Sequence, residues 1–219
     1  PNPPPPNPHR RASMDSASQG LLWVDKYRPS TLSDLDLNPA LTTQLTRLAE
    51  NRDTPHLLFY GPSGAGKRTR VMAFIRALYG GEKLVASVEH RTFRVGNPAK
   101  DVELTVLSSA HHIEFSPADA GNNDRLVVQE LIKEIASSVP LDLKSDPSKP
   151  NFKIIVLHEV DRLSRVAQQG LRRTMERYAR TCRLILVGSS ATRVIDPLRS
   201  RCLGIRVPAP SPAALEGAL

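Results

Sequence analysis

One run of residues has the types and spacing to cradle a phosphate chain: Gly61-Pro62-Ser63-Gly64-Ala65-Gly66-Lys67-Arg68-Thr69. It matches G-x-x-x-x-G-K, a pattern that carries meaning only between a strand and a helix. Both flanks are legible. The apolar run His56-Leu57-Leu58-Phe59-Tyr60 feeds the loop. Val71, Phe74, Ile75 and Leu78 follow at helical spacing. Glycines let the backbone curl around an anion, with amides pointing inward and a helix N-terminus adding positive potential. Lys67 is then expected to reach the β- and γ-phosphates.

One position departs from the pattern. Such loops carry Ser or Thr after the lysine, and its hydroxyl binds Mg²⁺. Here Arg68 stands there and Thr69 comes one place late. A guanidinium cannot ligate a metal cation and repels it. It can neutralise phosphate directly.

A second group lies downstream. Phe152-Lys153-Ile154-Ile155-Val156-Leu157 reads as a strand buried on both faces, and His158-Glu159-Val160-Asp161 follows it. P-loop ATPases place Asp-Glu directly after this strand. The Asp serves Mg²⁺ and the Glu polarises the attacking water. Glu159 stands in its expected place, but His158 replaces the Asp. Imidazole is a poor ligand for a hard, oxygen-seeking ion. Both positions that serve the metal are therefore altered. The expectation is binding of ATP or ADP with Mg²⁺ weak or absent, little or no turnover, and a vestigial Glu159. The plainer alternative makes His158 a solvated loop histidine and Glu159 a structural group. No metal centre is expected elsewhere. The HExxH pattern fails at Arg162, and adjacent His111 and His112 point to opposite faces of a strand.

The bulk numbers bound the class. A chain of 219 residues with 40% hydrophobic content suffices for one α/β domain with a real core. No apolar run approaches the ~20 residues of a membrane span, and no secretory apolar core stands at the N-terminus. Two cysteines, Cys182 and Cys202, occur without a CxxC, which fits a reducing compartment. A net charge of +8 admits a polyanion partner.

The elements that must position these groups follow in order. Residues 1–13 are proline-rich and then basic, and read as disordered, with Met14 a candidate natural start. Asn38 caps a helix that has Pro39 in its first turn and Leu41, Leu45 and Leu48 on one face. Residues 89–107 read as two extended pieces broken at Gly96-Asn97-Pro98, and 112–115 as another strand. Asn122-Asn123-Asp124 can cap a helix burying Leu126, Val127, Leu131, Ile132, Ile135 and Val139. A loop over 140–151 leads to the Phe152 strand, and a long helix is expected from about Arg165 to Arg180. Arg183–Val187 is the next strand, Val194–Ser200 a helix or turn, and Leu203–Val207 the last strand. Alternating strands and helices predict a three-layer α/β fold with a mainly parallel sheet.

Several of these segments together resemble the replication factor C small subunits, the eukaryotic AAA+ clamp loaders. The segments are Trp23-Val24-Asp25-Lys26-Tyr27-Arg28-Pro29, the phosphate loop, Glu159, Leu171-Arg172-Arg173-Thr174-Met175-Glu176 and Ser200-Arg201-Cys202. The resemblance spans residues 21–212. The altered loop and missing Asp are similar to the family member with a degenerate ATPase site. The resemblance implies a P-loop NTPase fold of the AAA+ type over 21–207. It also implies the beginning of a helical lid over 208–219, while the proline-rich and basic extension over 1–20 is expected to be disordered. Tyr27, Arg28 and Pro29 would lie near the adenine. Arg201 would be an arginine finger in a neighbour's ATP site, although on residue type alone it is one more surface arginine. Arg172 and Arg173 would face the adjoining subunit, or else form a solvated basic face. Ser189 stands in the sensor position where many AAA+ proteins have Asn.

The function implied is that of a clamp-loader subunit in DNA replication and repair. Its partners would be the other subunits of a hetero-pentamer, the sliding clamp PCNA and primer–template DNA, in the nucleus and with no membrane. The alternatives are a self-sufficient P-loop ATPase or kinase, and an AAA+ remodeller outside replication.

Overall fold

Every residue of the strand Lys153–Leu157 is buried, because helices cover both faces of the sheet at its centre. The computed structural model describes residues 22–35, 37–51, 53–80, 86–95, 100–137 and 150–212. The readings for 1–13, for the turn at 96–98, for most of the loop at 140–151, for Val139 and for the chain beyond 212 fall outside them.

The helices among these residues are α1 (Trp23–Lys26), α2 (Pro39–Glu50), α3 (Lys67–Leu78), α4 (Asp124–Ser137), α5 (Arg165–Arg177) and α6 (Asp196–Arg199). The strands are β1 (His56–Tyr60), β2 (Ser87–Val95), β3 (Lys100–Ser108), β4 (His112–Phe115), β5 (Lys153–Leu157), β6 (Cys182–Gly188) and β7 (Cys202–Arg206). They form one seven-stranded sheet in the order β2-β3-β4-β5-β6-β1-β7. The five strands from β4 to β7 in that order run parallel, while β2 and β3 add an antiparallel hairpin at one edge.

Period-two alternation divides the core. Ile155, Leu157, Leu184 and Leu186 face Val127, Leu131, Ile132, Leu171 and Met175 of α4 and α5. Ile154, Val156, Ile185 and Val187 face Leu41 and Leu45 of α2 and Val71, Phe74 and Ile75 of α3. The expected three-layer α/β architecture is present.

Some local expectations need correction. Leu126 is exposed, and Val128 takes its place on the buried face of α4. The run 126–128 continues the apolar pattern on both sides of the helical stripe, so spacing alone misassigned its edge. Leu48 is only half-buried, and Ala49 completes the buried face of α2. The helix α5 ends at Arg177, with Tyr178 as its C-cap.

The caps follow local chemistry. Asn38 adopts a left-handed conformation, and its side chain accepts from Leu41 N at 3.4 Å. Ser164 caps α5 by accepting from Ala167 N at 3.1 Å. Buried Asp124 then holds Ser164 in place, accepting from its amide at 2.8 Å and its hydroxyl at 3.1 Å. This ties the start of α4 to the start of α5.

Candidate nucleotide site

The phosphate loop leaves the C-terminal end of β1 and enters α3. Gly61 is pinned where it starts. Val207 N donates to Tyr60 O at 2.8 Å, and a Cβ on Gly61 would lie 2.0 Å from Val207 O. Only glycine admits this approach of the β7 exit to the loop. Gly64 and Gly66 adopt φ of 78° and 80°, and nothing lies within 4 Å of a Cβ built on either. The loop is thus curled over open space, as a backbone anion cradle requires. Lys67 Nζ donates to Gly61 O and Pro62 O, both at 2.7 Å, so the cation is folded onto its own loop. Burial lowers the pKa of Lys67, and the nearby charge of Asp161 opposes that shift. A phosphate chain fits this cradle: the amides of Ser63–Arg68 would line it, and Lys67 would move from carbonyl oxygens to phosphate oxygens.

Magnesium does not fit. Arg68 Nη2 is bonded to Glu114 Oε1. His158 Nε2 lies 3.1 Å from Glu114 Oε2, close enough for an ion pair but off hydrogen-bonding direction. Both residues that replace metal-serving groups therefore meet on one carboxylate. Glu114 sits on β4, and its side chain is 3% exposed. Ile113 and Phe115 face α4 and α5, so alternation turns Glu114 toward α3 and Arg68. Burial, the largest influence, pushes the Glu114 carboxyl up, but His158 and Arg68 together pull its pKa below the ordinary value. His158 is 18% exposed and lies beside a carboxylate, so it is not the fully solvated histidine of the plainer alternative. Among the described residues no group of three or more His, Cys, Asp or Glu is arranged to hold a metal ion.

Glu159 has φ of 53°, and its carboxylate is paired with Arg162 at 2.6 Å. Asp161, to which the sequence reading gave no role, accepts from Ser189 N at 3.1 Å. A Cβ on Gly188 would lie 2.9 Å from Asp161 Oδ1, so the glycine before Ser189 makes that contact possible. The turn after β5 and the end of β6 are thereby locked together beside Lys67. Arg28 and Pro29 line a groove with Arg68, Met72, Arg76, His112 and Glu114. Arg76 donates to Ser30 O at 2.6 Å and holds this segment on α3. Tyr27 is exposed and packs edge-on to Trp23, with ring centroids 6.3 Å apart. His112 is fully buried, with Nδ1 2.6 Å from Ser109 Oγ, while His111 precedes the strand and stacks on Tyr79.

Arg201 lies apart from the loop, at the end of α6. Its Nε donates to Glu176 Oε1 at 2.9 Å, its Nη2 is ion-paired with the same oxygen at 2.6 Å, and its Nη1 donates to Pro197 O at 2.7 Å. Arg172 approaches the same Glu176 oxygen at 3.4 Å.

Residues 37–211 match the family model described as DNA polymerase III, delta subunit. The chain belongs to that family. Within it the likeness to replication factor C is high. A probable replication factor C subunit 3 of Dictyostelium discoideum is 49% identical over 91% of this chain and 56% of its own length. Replication factor C subunit 5 of Oryza sativa is 50% identical over 87% of this chain and 54% of its own. Replication factor C subunit 3 of Homo sapiens is 50% identical over 87% of this chain and 52% of its own. The chain spans about half the length of the curated relatives it matches. Two mutant forms of Thermotoga maritima RuvB share the fold, with TM-scores of 0.56 and 0.57 at 15% and 14% identity. Each match covers 88% of this chain and 52% of the RuvB chain. The chain thus shares the three-layer α/β fold of these RuvB structures.

Glu114, Asp161 and Glu176 are the site residues that sequence reasoning missed. The available signal for Glu114 was one acidic residue inside a short, otherwise apolar strand. For Glu176 it was an i, i+4 spacing from Arg172.

Proposed function

We propose that the chain acts within a replication factor C clamp loader, as a subunit that binds ATP or ADP and turns it over slowly or not at all. The observation that carries this is the near-50% identity to replication factor C subunits 3 and 5 over most of the chain. The site chemistry supports the second half. The loop keeps its anion grip while both metal-serving positions are filled by Arg68 and His158. Glu159, the remaining group for activating water, is paired with Arg162.

In this reading the chain's output is felt next door. Arg201 is the arginine finger for a neighbouring subunit's ATP. A guanidinium beside the γ-phosphate stabilises the charge of transfer, an effect worth roughly 10³–10⁵ in rate in other NTPases. Tyr27, Arg28 and Pro29 form the adenine side of this chain's own site, and Ser189 occupies its sensor position. The assembly contacts the sliding clamp PCNA and holds primer–template DNA through phosphate contacts, in the nucleus, during replication and repair. Residues 21–207 are the AAA+ domain. No described helix is long and apolar enough to cross a membrane.

The test is reconstitution with the other subunits. Arg201→Ala in the full chain is expected to lower the DNA-stimulated ATPase of the complex by at least tenfold. An unchanged ATPase overturns the finger assignment. A Lys67→Ala chain is expected to lose labelled-ADP binding at its own site.

A further inference from the structure

We propose that Arg68 is the built-in cation of this phosphate site, held in position by Glu114, so that a nucleoside di- or triphosphate binds without a divalent metal ion. This deepens the reading of the loop as a nucleotide site and rests on it.

The argument starts from where the charges go. Arg68 comes from the first turn of α3, Glu114 from β4 and His158 from the turn after β5. These three segments are far apart in sequence, yet they converge on one buried carboxylate. Its two oxygens are divided: Oε1 takes Arg68 and Oε2 faces His158. Loss of a metal site by drift has no reason to produce this. An unrelated arginine and histidine would each need their own solvation, and a carboxylate 3% exposed would need its own partner. Instead the Arg68 charge is met by a carboxylate that other elements bury, with His158 at 3.1 Å from its second oxygen.

The arrangement also leaves Arg68 able to act. Its side chain remains 52% exposed although one terminal nitrogen is committed to Glu114. A guanidinium carries five N–H donors in a rigid fork. With Nη2 anchored, the rest of the fork is held beside the loop that carries Lys67. Lys67 and Arg68 then present two adjacent fixed positive charges to a phosphate chain. A hydrated divalent ion placed beside them meets a guanidinium where it needs a hydroxyl oxygen. It meets an imidazole where it needs a carboxylate. The Glu114 carboxylate beside Arg68 is already paired. Glu114 is in this account a positioning residue: it acts on the ligand only through Arg68.

The experiment measures binding of fluorescently labelled ADP to the full chain in its complex, by anisotropy, in excess Mg²⁺ or in EDTA, and takes this chain's site as the binding lost when the chain carries Lys67→Ala. For the wild type, the two affinities are expected to agree within about threefold, a small step on the tenfold-per-1.4-kcal/mol scale. Glu114→Gln and Arg68→Ala are each expected to weaken binding about tenfold in both buffers, as for loss of one charge-assisted contact. Combining them is expected to add less than about twofold, because both remove the same contact. The pair Arg68→Thr with His158→Asp is expected to make binding depend on Mg²⁺.

A wild-type affinity that falls more than about threefold in EDTA overturns the proposal. So does wild-type affinity in Glu114→Gln, which a purely structural Glu114 would show in a folded variant. If Glu114→Gln does not fold, Arg68→Ala decides, and unchanged binding there is equally fatal. Equal labelled-ADP binding by complexes with the wild-type chain and with Lys67→Ala shows instead that the nucleotide reading itself has failed, and this assignment falls with it.

Discussion

One carboxylate oxygen of Glu176 holds Arg201: it accepts from Nε at 2.9 Å and is ion-paired with Nη2 at 2.6 Å. Both groups are partly exposed, so water and salt compete for the pair, and its value lies in direction more than stability. Arg201 is further fixed by Pro197 O, one turn back on its own backbone. A long flexible side chain thus leaves the link between α6 and β7 in one orientation.

Glu176→Ala is therefore expected to leave the melting temperature of the chain unchanged. In the reconstituted complex it is expected to lower ATPase less than Arg201→Ala does, and to add nothing to it. A double-mutant cycle on the steady-state rate checks this. Additive losses would show that Glu176 acts on something other than Arg201.

Gln168 joins α5 to the segment that leads into α6. It is 1% exposed, donates to Leu163 O at 3.1 Å and Arg193 O at 3.2 Å, and accepts from Ile195 N at 2.9 Å. Gln168→Ala strands backbone groups that have lost water. The expected cost is about 3 kcal/mol, from unsatisfied buried groups at roughly 1–3 kcal/mol each. The midpoint of urea unfolding measures it.

Gly61→Ala drives a methyl into the carbonyl of Val207. Neither side can yield without displacing β7 or the phosphate loop. A loss of at least about 3 kcal/mol is expected, the upper range for overpacking. Labelled-ADP binding should fall with it. Gly64→Ala meets no such atom, so its effect should come from backbone strain alone and be smaller in urea unfolding.

Acid should weaken the fold before the carboxylates titrate. His56 has its pKa lowered to about 4, first by burial and then by the Arg183 charge. Its Nδ1 accepts from Leu184 N at 3.0 Å, a bond that a protonated ring would lose. His112 is likewise lowered to about 4, chiefly by burial. Both rings are held neutral in the fold, while the unfolded chain takes up protons near pH 6.5. Their stabilisation is full above about 6.5 and is lost as pH falls toward about 4. Each shift corresponds to roughly 3 kcal/mol at 1.36 kcal/mol per unit. Denaturant unfolding at a series of pH values should show this slope, and His56→Asn should flatten part of it.

The architecture was largely legible because its signals are local. The β1–loop–α3 unit is readable from an apolar run, three glycines and helical spacing in one stretch of chain. The sheet's central strands are equally plain, since burial on both faces demands unbroken apolar runs such as Lys153–Leu157. Helix edges were less so. Leu126 and Val128 are chemically interchangeable in a pattern, and only the angle at which α4 meets the sheet decides which is covered.

The sequence by itself determined the cradle, the order of strands and helices, and the two departures at Arg68 and His158. It could say only what those residues lack: neither carries the oxygen ligand that magnesium prefers. What they are was decided by tertiary structure. Parallel pairing sets β4 beside β5, with Glu114 opposite Val156, two residues before His158. Packing of α3 over the same sheet face brings Arg68 down onto Glu114. Glu176 and Arg201 meet in the same way, across α5 and the end of α6. Charges that meet across elements leave no spacing rule in the chain, because their separation is set by sheet register and helix packing rather than by residue count.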